Sequence, residues 1–256
     1  MNLGISIDAK DAIEALGFIR GYYQQINHIQ FYLEPNIDNY ILRNVNSITQ
    51  TFGKTFSYSF HSYEHINLCE PNTLIRNAWI ATVKATIDLL ENINGRFVNL
   101  HIGYFLSDTQ NRYGLLNHVS DALEEICSYA LNKNIDIHIE NDFNYRGISR
   151  LGSSLEEIQF LLNLNKSNLK VCYDIGHANI SFKSPYDYRK IINSIGSFHI
   201  HNNDGIIDMH LPIGAEGNID LDIVYNELFN LEDIYFILEN DITDYPVGLK
   251  YLFSRR

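Results

Sequence analysis

Residues 169–177 read Leu169-Lys170-Val171-Cys172-Tyr173-Asp174-Ile175-Gly176-His177. The first six form a short apolar, β-rich run that stops on a carboxylate, Asp174, with an imidazole, His177, three residues later. A run of this length with β-branched and aromatic residues suits a buried strand. The same construction recurs along the chain. Strands are predicted at Leu3–Ile7, His28–Leu33, Phe56–His61, Phe97–His101, Ile135–Glu140, Leu169–Asp174, Ser197–His201 and Tyr235–Glu239. Between them, Ala12–Gln25, Leu74–Leu90, Gly114–Leu131, Leu155–Leu164 and Leu221–Phe229 repeat apolar residues at helical spacing. Strands alternating with helices give βαβ units and a parallel sheet. Eight of them, in 256 residues with 45% hydrophobic content, predict one (β/α)8 barrel over residues 1–256 as a single domain. The polar, Gly-containing stretch Asp142–Ser154 reads as a loop.

The ends of these strands share a chemistry. The third ends at His61, the fourth at His101, the fifth at Glu140, the sixth at Asp174, the seventh at His201 and the eighth at Glu239. Asp208 and His210 follow the seventh strand. In a barrel the C-terminal strand ends converge on one mouth. Carboxylates are almost never buried unless paired or bound to metal, and carboxylate and imidazole are ligands for hard and borderline divalent ions. Strand parity places His199 and His201 on one inward face, with His201 nearer the mouth. Only one of the two need bind metal. The same parity puts Glu34 at the mouth beyond Gln30 and Tyr32. His28, His118 and His138 read as satisfied core histidines, and Cys172 as a core thiol.

The formal charge of -12 opposes non-specific binding to phosphate backbones. Three widely spaced cysteines without a CxxC suggest free thiols in a reducing compartment. No signal peptide and no apolar run near the ~20 residues of a membrane helix is evident. The expectation is a cytoplasmic protein that makes no membrane contact. Its oligomeric state is left open.

The segments HSYEHINL, NLHIG, HIEND, CYDIGH, FHIHNNDG, DMHLPIGAEG and FILEN, in this order, resemble the xylose-isomerase-like TIM barrel superfamily, which holds sugar isomerases and epimerases and the endonuclease IV type of apurinic-site nuclease. The resemblance implies a divalent ion, zinc or manganese first, with magnesium, cobalt or iron also compatible. Glu140, Asp174, His201 and Glu239 would hold it, and His61, His101, His177, Asp208 and His210 would be further ligands. Glu140 and Glu239 would act as catalytic acid and base. Glu34, His65 and His199 are the substrate-binding candidates. The implied reaction is isomerisation or epimerisation of a sugar or sugar-like substrate, by proton transfer through a metal-stabilised enediolate. The alternative is a zinc-dependent apurinic-site phosphodiesterase. Against DNA, Glu64 and His65 stand where the nucleases carry a wedging Tyr-Leu pair, and the acidic stretch Glu34–Tyr40 stands where they carry a basic loop.

Overall fold

In a computed structural model, which describes residues 2–106, 111–182, 184–214, 217–228, 231 and 233–254, the chain closes into a parallel barrel. The barrel strands are β1 (Asn2–Asp8), β2 (His28–Tyr32), β3 (Ser57–His61), β4 (Phe97–Leu100), β5 (Asp136–Glu140), β6 (Leu169–Asp174), β7 (Ile195–Ile200) and β8 (Tyr235–Leu238). They neighbour one another in chain order, and β8 returns to β1. Around them lie α1 (Ala12–Tyr22), α2 (Asn39–Phe52), α3 (Thr73–Asn92), α4 (Arg112–Leu131), α5 (Leu155–Leu162), α6 (Ile175–Ser181), α7 (Leu221–Leu228) and α8 (Tyr245–Phe253).

The eight expected strands are all present. His101, His201 and Glu239 fall one residue beyond β4, β7 and β8, in the mouth. The five expected helices appear with shifted ends; the predicted end of the last at Phe229, like Ala215 and Glu216 of the GAEG turn, lies outside the described residues. Three further helices complete the pattern. The polar α2 buries Ile41, Val45 and Ile48 at helical spacing, a stripe set among many polar residues, and Asp38 caps it by accepting from Tyr40 N (2.8 Å) and Ile41 N (3.0 Å). In α6 the last residue of β6 is itself the cap, Asp174 accepting from His177 N at 2.6 Å. Pro246 sits in the first turn of α8, where its missing N–H costs nothing. The stretch Asp142–Ser154 is not wholly irregular, because Ser149–Arg150 pairs antiparallel with Tyr104–Phe105 beside the mouth.

The barrel interior changes character along its axis. At the N-terminal end Phe97 lies between His28 (centroids 5.4 Å, 7° between planes) and His138 (3.9 Å, 9°). Serine hydroxyls bond the two imidazoles: Ser57 and Ser59 for His28, Ser197 for His138, all at 2.8 Å. His118, in contrast to the core role expected for it, is half-exposed on α4, because its position on that helix lies off the buried stripe. Toward the C-terminal end the inward positions turn polar: Gln30, Asn99, Glu140, Asp174 and His199, all buried.

Candidate metal centre

The nine expected ligand residues come together at the C-terminal mouth. Donor atoms of His61, His101 and Glu140 lie within 4.8 Å of one another, as do those of His177, Asp208 and His210, and those of His201, His210 and Glu239. Asp174 joins through His201, whose Nε2 is 3.1 Å from Asp174 Oδ2. Ligand atoms about 2.0–2.2 Å from a shared zinc ion fall in this range of mutual separation.

The hydrogen bonds behind the histidines provide a sharper test. His61 Nδ1 meets Ser62 O at 2.7 Å, His101 Nδ1 meets Asp142 Oδ2 at 2.9 Å, His177 Nδ1 meets Asn141 O at 2.9 Å, and His210 Nδ1 meets Glu239 O at 2.7 Å. Each partner is an acceptor, so each Nδ1 carries the proton and donates. That leaves Nε2 with a lone pair aimed into the site. The Nε2 atoms then face carboxylate oxygens: His61 to Glu140 at 3.2 Å, His177 to Asp208 at 3.3 Å and His210 to Asp208 at 2.8 Å. Lone pair against anion is repulsive unless a proton or a cation stands between. Asp208 Oδ1 and His201 Nδ1 are also buried without a hydrogen-bond partner among the described residues, a costly state. These donors fit divalent ions.

Without a cation the cluster holds its own protons. Burial opposes ionisation of Glu140, but His199 and His101 outweigh it and hold the carboxyl well below its usual range. Burial likewise disfavours a charged His101, and Glu140 and Asp142 reverse that and raise its pKa. His210 is pushed up to about 9, burial opposing and the Asp208 bond prevailing.

Sequence reasoning missed several supporting groups. Asn99 Nδ2 donates to Glu140 Oε2 at 2.5 Å, and Gln30 Oε1 lies 2.9 Å from His199 Nε2. Asp142 orients His101 and also meets Arg150 Nη1 at 3.2 Å. The signals were present in part, since Asn99 belongs to NLHIG and Asp142 to HIEND.

The three expected substrate contacts are placed differently. A cavity of about 430 Å³ opens above the cluster, and its lining includes Asp8, Tyr32, Glu64, Glu140, Arg150 and Glu239. Glu34 is not on it; it pairs with Lys10 Nζ at 2.9 Å on the rim. His65 is not on it either; it pairs with the lining residue Glu64 at 3.0 Å, with 43% of its side chain exposed. His199 is fully enclosed beneath the cavity, its nitrogens occupied by Gln30, Glu140 and Glu239.

A closed parallel barrel with clustered carboxylates and imidazoles at its C-terminal mouth defines the general class of a (β/α)8 protein whose mouth carries groups that could hold a metal ion. The family description "xylose isomerase-like TIM barrel" fits residues 22–254, and the chain belongs to that family. It is 29% identical over 172 residues to the uncharacterized protein MJ1311 of Methanocaldococcus jannaschii, a match covering 65% of this chain and 57% of the relative. It is 26% identical over 214 residues to a "Probable endonuclease 4" of Natronomonas pharaonis, covering 74% and 73%. Among solved structures, a D-tagatose 3-epimerase-like protein superposes with TM-score 0.79 at 22% identity, over 100% of this chain and 99% of that one, which shows the shared fold. No helix among the described residues is long and apolar enough to cross a membrane.

Proposed function

We propose that this chain is a divalent-metal-dependent isomerase or epimerase of a sugar or sugar-like substrate. One observation carries the reading. Glu140 and Glu239, from well-separated strands β5 and β8, both line the cavity and both reach His199 Nδ1, at 3.1 and 3.0 Å. Two carboxylates converging on one small cavity from different sides can take a proton from one face of a carbon and return it to the other. The cavity of about 430 Å³ lies within the ~300–1,000 Å³ of small-molecule sites.

A bound ion would supply Lewis-acid polarisation of a carbonyl oxygen. The residues of the chain do the rest. Asn99 holds Glu140 so that one carboxylate oxygen stays directed at the site. His199, bonded on its other side to Gln30, fixes the spacing of the two glutamates. Asp8, Glu64 and Asp241 on the outer lining are acceptors for substrate hydroxyls.

The phosphodiesterase reading has one observation in its favour besides the endonuclease-like relative. The loop after β7 carries exposed apolar residues, Ile206 (74%), Ile207 (51%) and Met209 (47%), the kind of side chain that wedges between base steps. Against it, the cavity lining carries seven carboxylates, which repel a phosphate backbone where metal does not offset them. Metal-loaded protein incubated with ketoses in D2O should incorporate deuterium next to the carbonyl, and Glu140→Gln should abolish the exchange. Incision of a duplex containing an abasic site, lost in Glu140→Gln, with no exchange into any ketose, would overturn the proposal.

A further inference from the structure

The cavity has two unlike walls. Asp8, Glu64 and Asp241 stand on the β1, β3 and β8 side. The segment after β5 supplies the other wall, with Asp142, Phe143, Tyr145 and Arg150. Among the described residues, Arg150 is the one lysine or arginine on the lining. We propose that Arg150 recognises an anionic group, a phosphate or a carboxylate, carried by the substrate. This rests on the sugar-enzyme reading above and narrows its substrate class.

The backbone of Arg150 is pinned. Its N–H donates to Asn144 Oδ1 at 2.9 Å, and its carbonyl accepts from Arg112 Nη2 at 2.9 Å. Arg112 is itself clamped to Glu157 at 2.6 Å. The antiparallel pairing with Tyr104 holds the same residue from the side. The guanidinium is therefore presented by a braced clip and not by a free loop, so little ordering is needed when a ligand arrives.

The partners of the guanidinium leave capacity over. Asp142 is the one acceptor it bonds among the described residues, through Nη1 at 3.2 Å, and its Nε is walled off without a partner. Asp142 does not depend on Arg150 alone, because His101 Nδ1 (2.9 Å) and Phe143 N (2.7 Å) already donate to it. A long cation with 16% of its side chain exposed, beside a cavity rich in carboxylates, is poorly used as a mere brace. A planar fork is well matched to phosphate or carboxylate. Asp8, Glu64 and Asp241, on the β1, β3 and β8 side, would repel that anion and so set the substrate's direction, anion toward Arg150 and hydroxyls toward those three carboxylates.

Calorimetric titration of the metal-loaded full chain with ribose 5-phosphate, ribonate and ribose tests this, with inorganic phosphate as the probe for direct metal–anion binding. The expected result is that ribose 5-phosphate or ribonate binds on the order of tenfold or more tighter than ribose, and which of the two wins identifies the anion. Arg150→Gln should erase that preference, and Arg150→Lys, which keeps the charge but not the fork, should reduce it, giving the readout should the glutamine variant not fold. Equal affinity for all three probes would overturn the proposal. So would a preference that survives Arg150→Gln, since the metal would then be holding the anion, as would loss of bound metal in that variant, since Arg150 would then serve His101 through Asp142. The sugar-enzyme reading fails separately. Anion preference lost in Arg150→Gln, with no deuterium exchange in any ketose, sinks the reaction and leaves the anion site standing.

Discussion

His199 Nδ1 stands 3.0 Å from Glu239 Oε2, a bond that ties β7 to β8 beneath the cavity. The other ring nitrogen of His199 lies 2.9 Å from Gln30 Oε1, so both nitrogens face acceptors and the ring is held as an imidazolium. Burial opposes that charge, and the carboxylates of Glu239 and Glu140 outweigh it. The side chain fixes where Glu239 points. His199→Asn is expected to weaken zinc affinity roughly 10–100-fold, the usual effect of losing a group that orients a ligand. Chelator competition measures it, and an unchanged affinity would show that Glu239 is positioned without His199.

Divalent ions should stabilise the fold as well as serve the reaction. Repulsion between lone pairs and carboxylates at His61, His177 and His210 is relieved only when a cation or protons intervene. At an ion concentration about 100 times Kd the gain is about 2.7 kcal/mol. Thermal unfolding of chelator-stripped protein, with and without added zinc or manganese, should show a rise of several degrees that Glu140→Gln diminishes. An identical melting temperature in both conditions would remove the metal from the argument.

Gly176 makes room for the His201 ring. A Cβ there would lie 2.0 Å from His201 Cε1, and the His201 ring stacks on His210 at 4.1 Å between centroids. Gly176→Ala should displace both imidazoles and lower metal occupancy, measured by elemental analysis. Gly17→Ala, on α1 with nothing within 4 Å of the new atom, should instead stabilise the chain by up to about 1 kcal/mol in denaturant unfolding. Full metal occupancy in Gly176→Ala would mean that α6 shifts freely against β7.

At the closed end of the barrel, burial drives the pKa of His28 down to about 3, with Arg96 adding to the effect. The unfolded chain then binds this proton more readily than the folded one. The stability His28 confers as a neutral ring is complete above the ordinary histidine value of ~6.5 and is lost as pH falls from there toward 3, by up to ~1.4 kcal/mol per pH unit. His28→Gln should flatten the slope of unfolding free energy against pH over that interval, whatever its effect on stability at neutral pH. An unaltered slope would show that His28 takes up its proton equally in the folded and unfolded states.

The strand ends were the legible part of this molecule. His61, Glu140 and Asp174 close runs whose apolar character marks them as strands, and a strand's alternation fixes which way its last side chain faces. The helices α2 and α6 were missed for different reasons. In α2 the spacing of Ile41, Val45 and Ile48 is helical, but many Asn, Ser and Thr, whose side chains compete with helix formation, stand among them, and α6 is a seven-residue helix that Asp174 starts from the end of β6. Glu34 shows the limit of parity. Its position at the rim followed from alternation along β2, but its partner, Lys10, comes from the loop after β1 and also pairs with Asp8, so Glu34 is held in that ion pair and off the cavity lining.

Sequence alone determined that eight strands alternate with helices, that one domain results, and that carboxylates and imidazoles stand at the strand ends. Each is a local property, set by side-chain periodicity and by the type of residue that closes each run. Tertiary structure decided the chemistry between them: which nitrogen of each histidine is free, that His199 is enclosed, and that Arg150 lines one cavity with Asp8, Glu64 and Asp241. Those depend on contacts between residues far apart in the chain, such as His199 with Gln30 and Arg150 with Tyr104, which come within reach only when the barrel closes and the clip beside its mouth is formed.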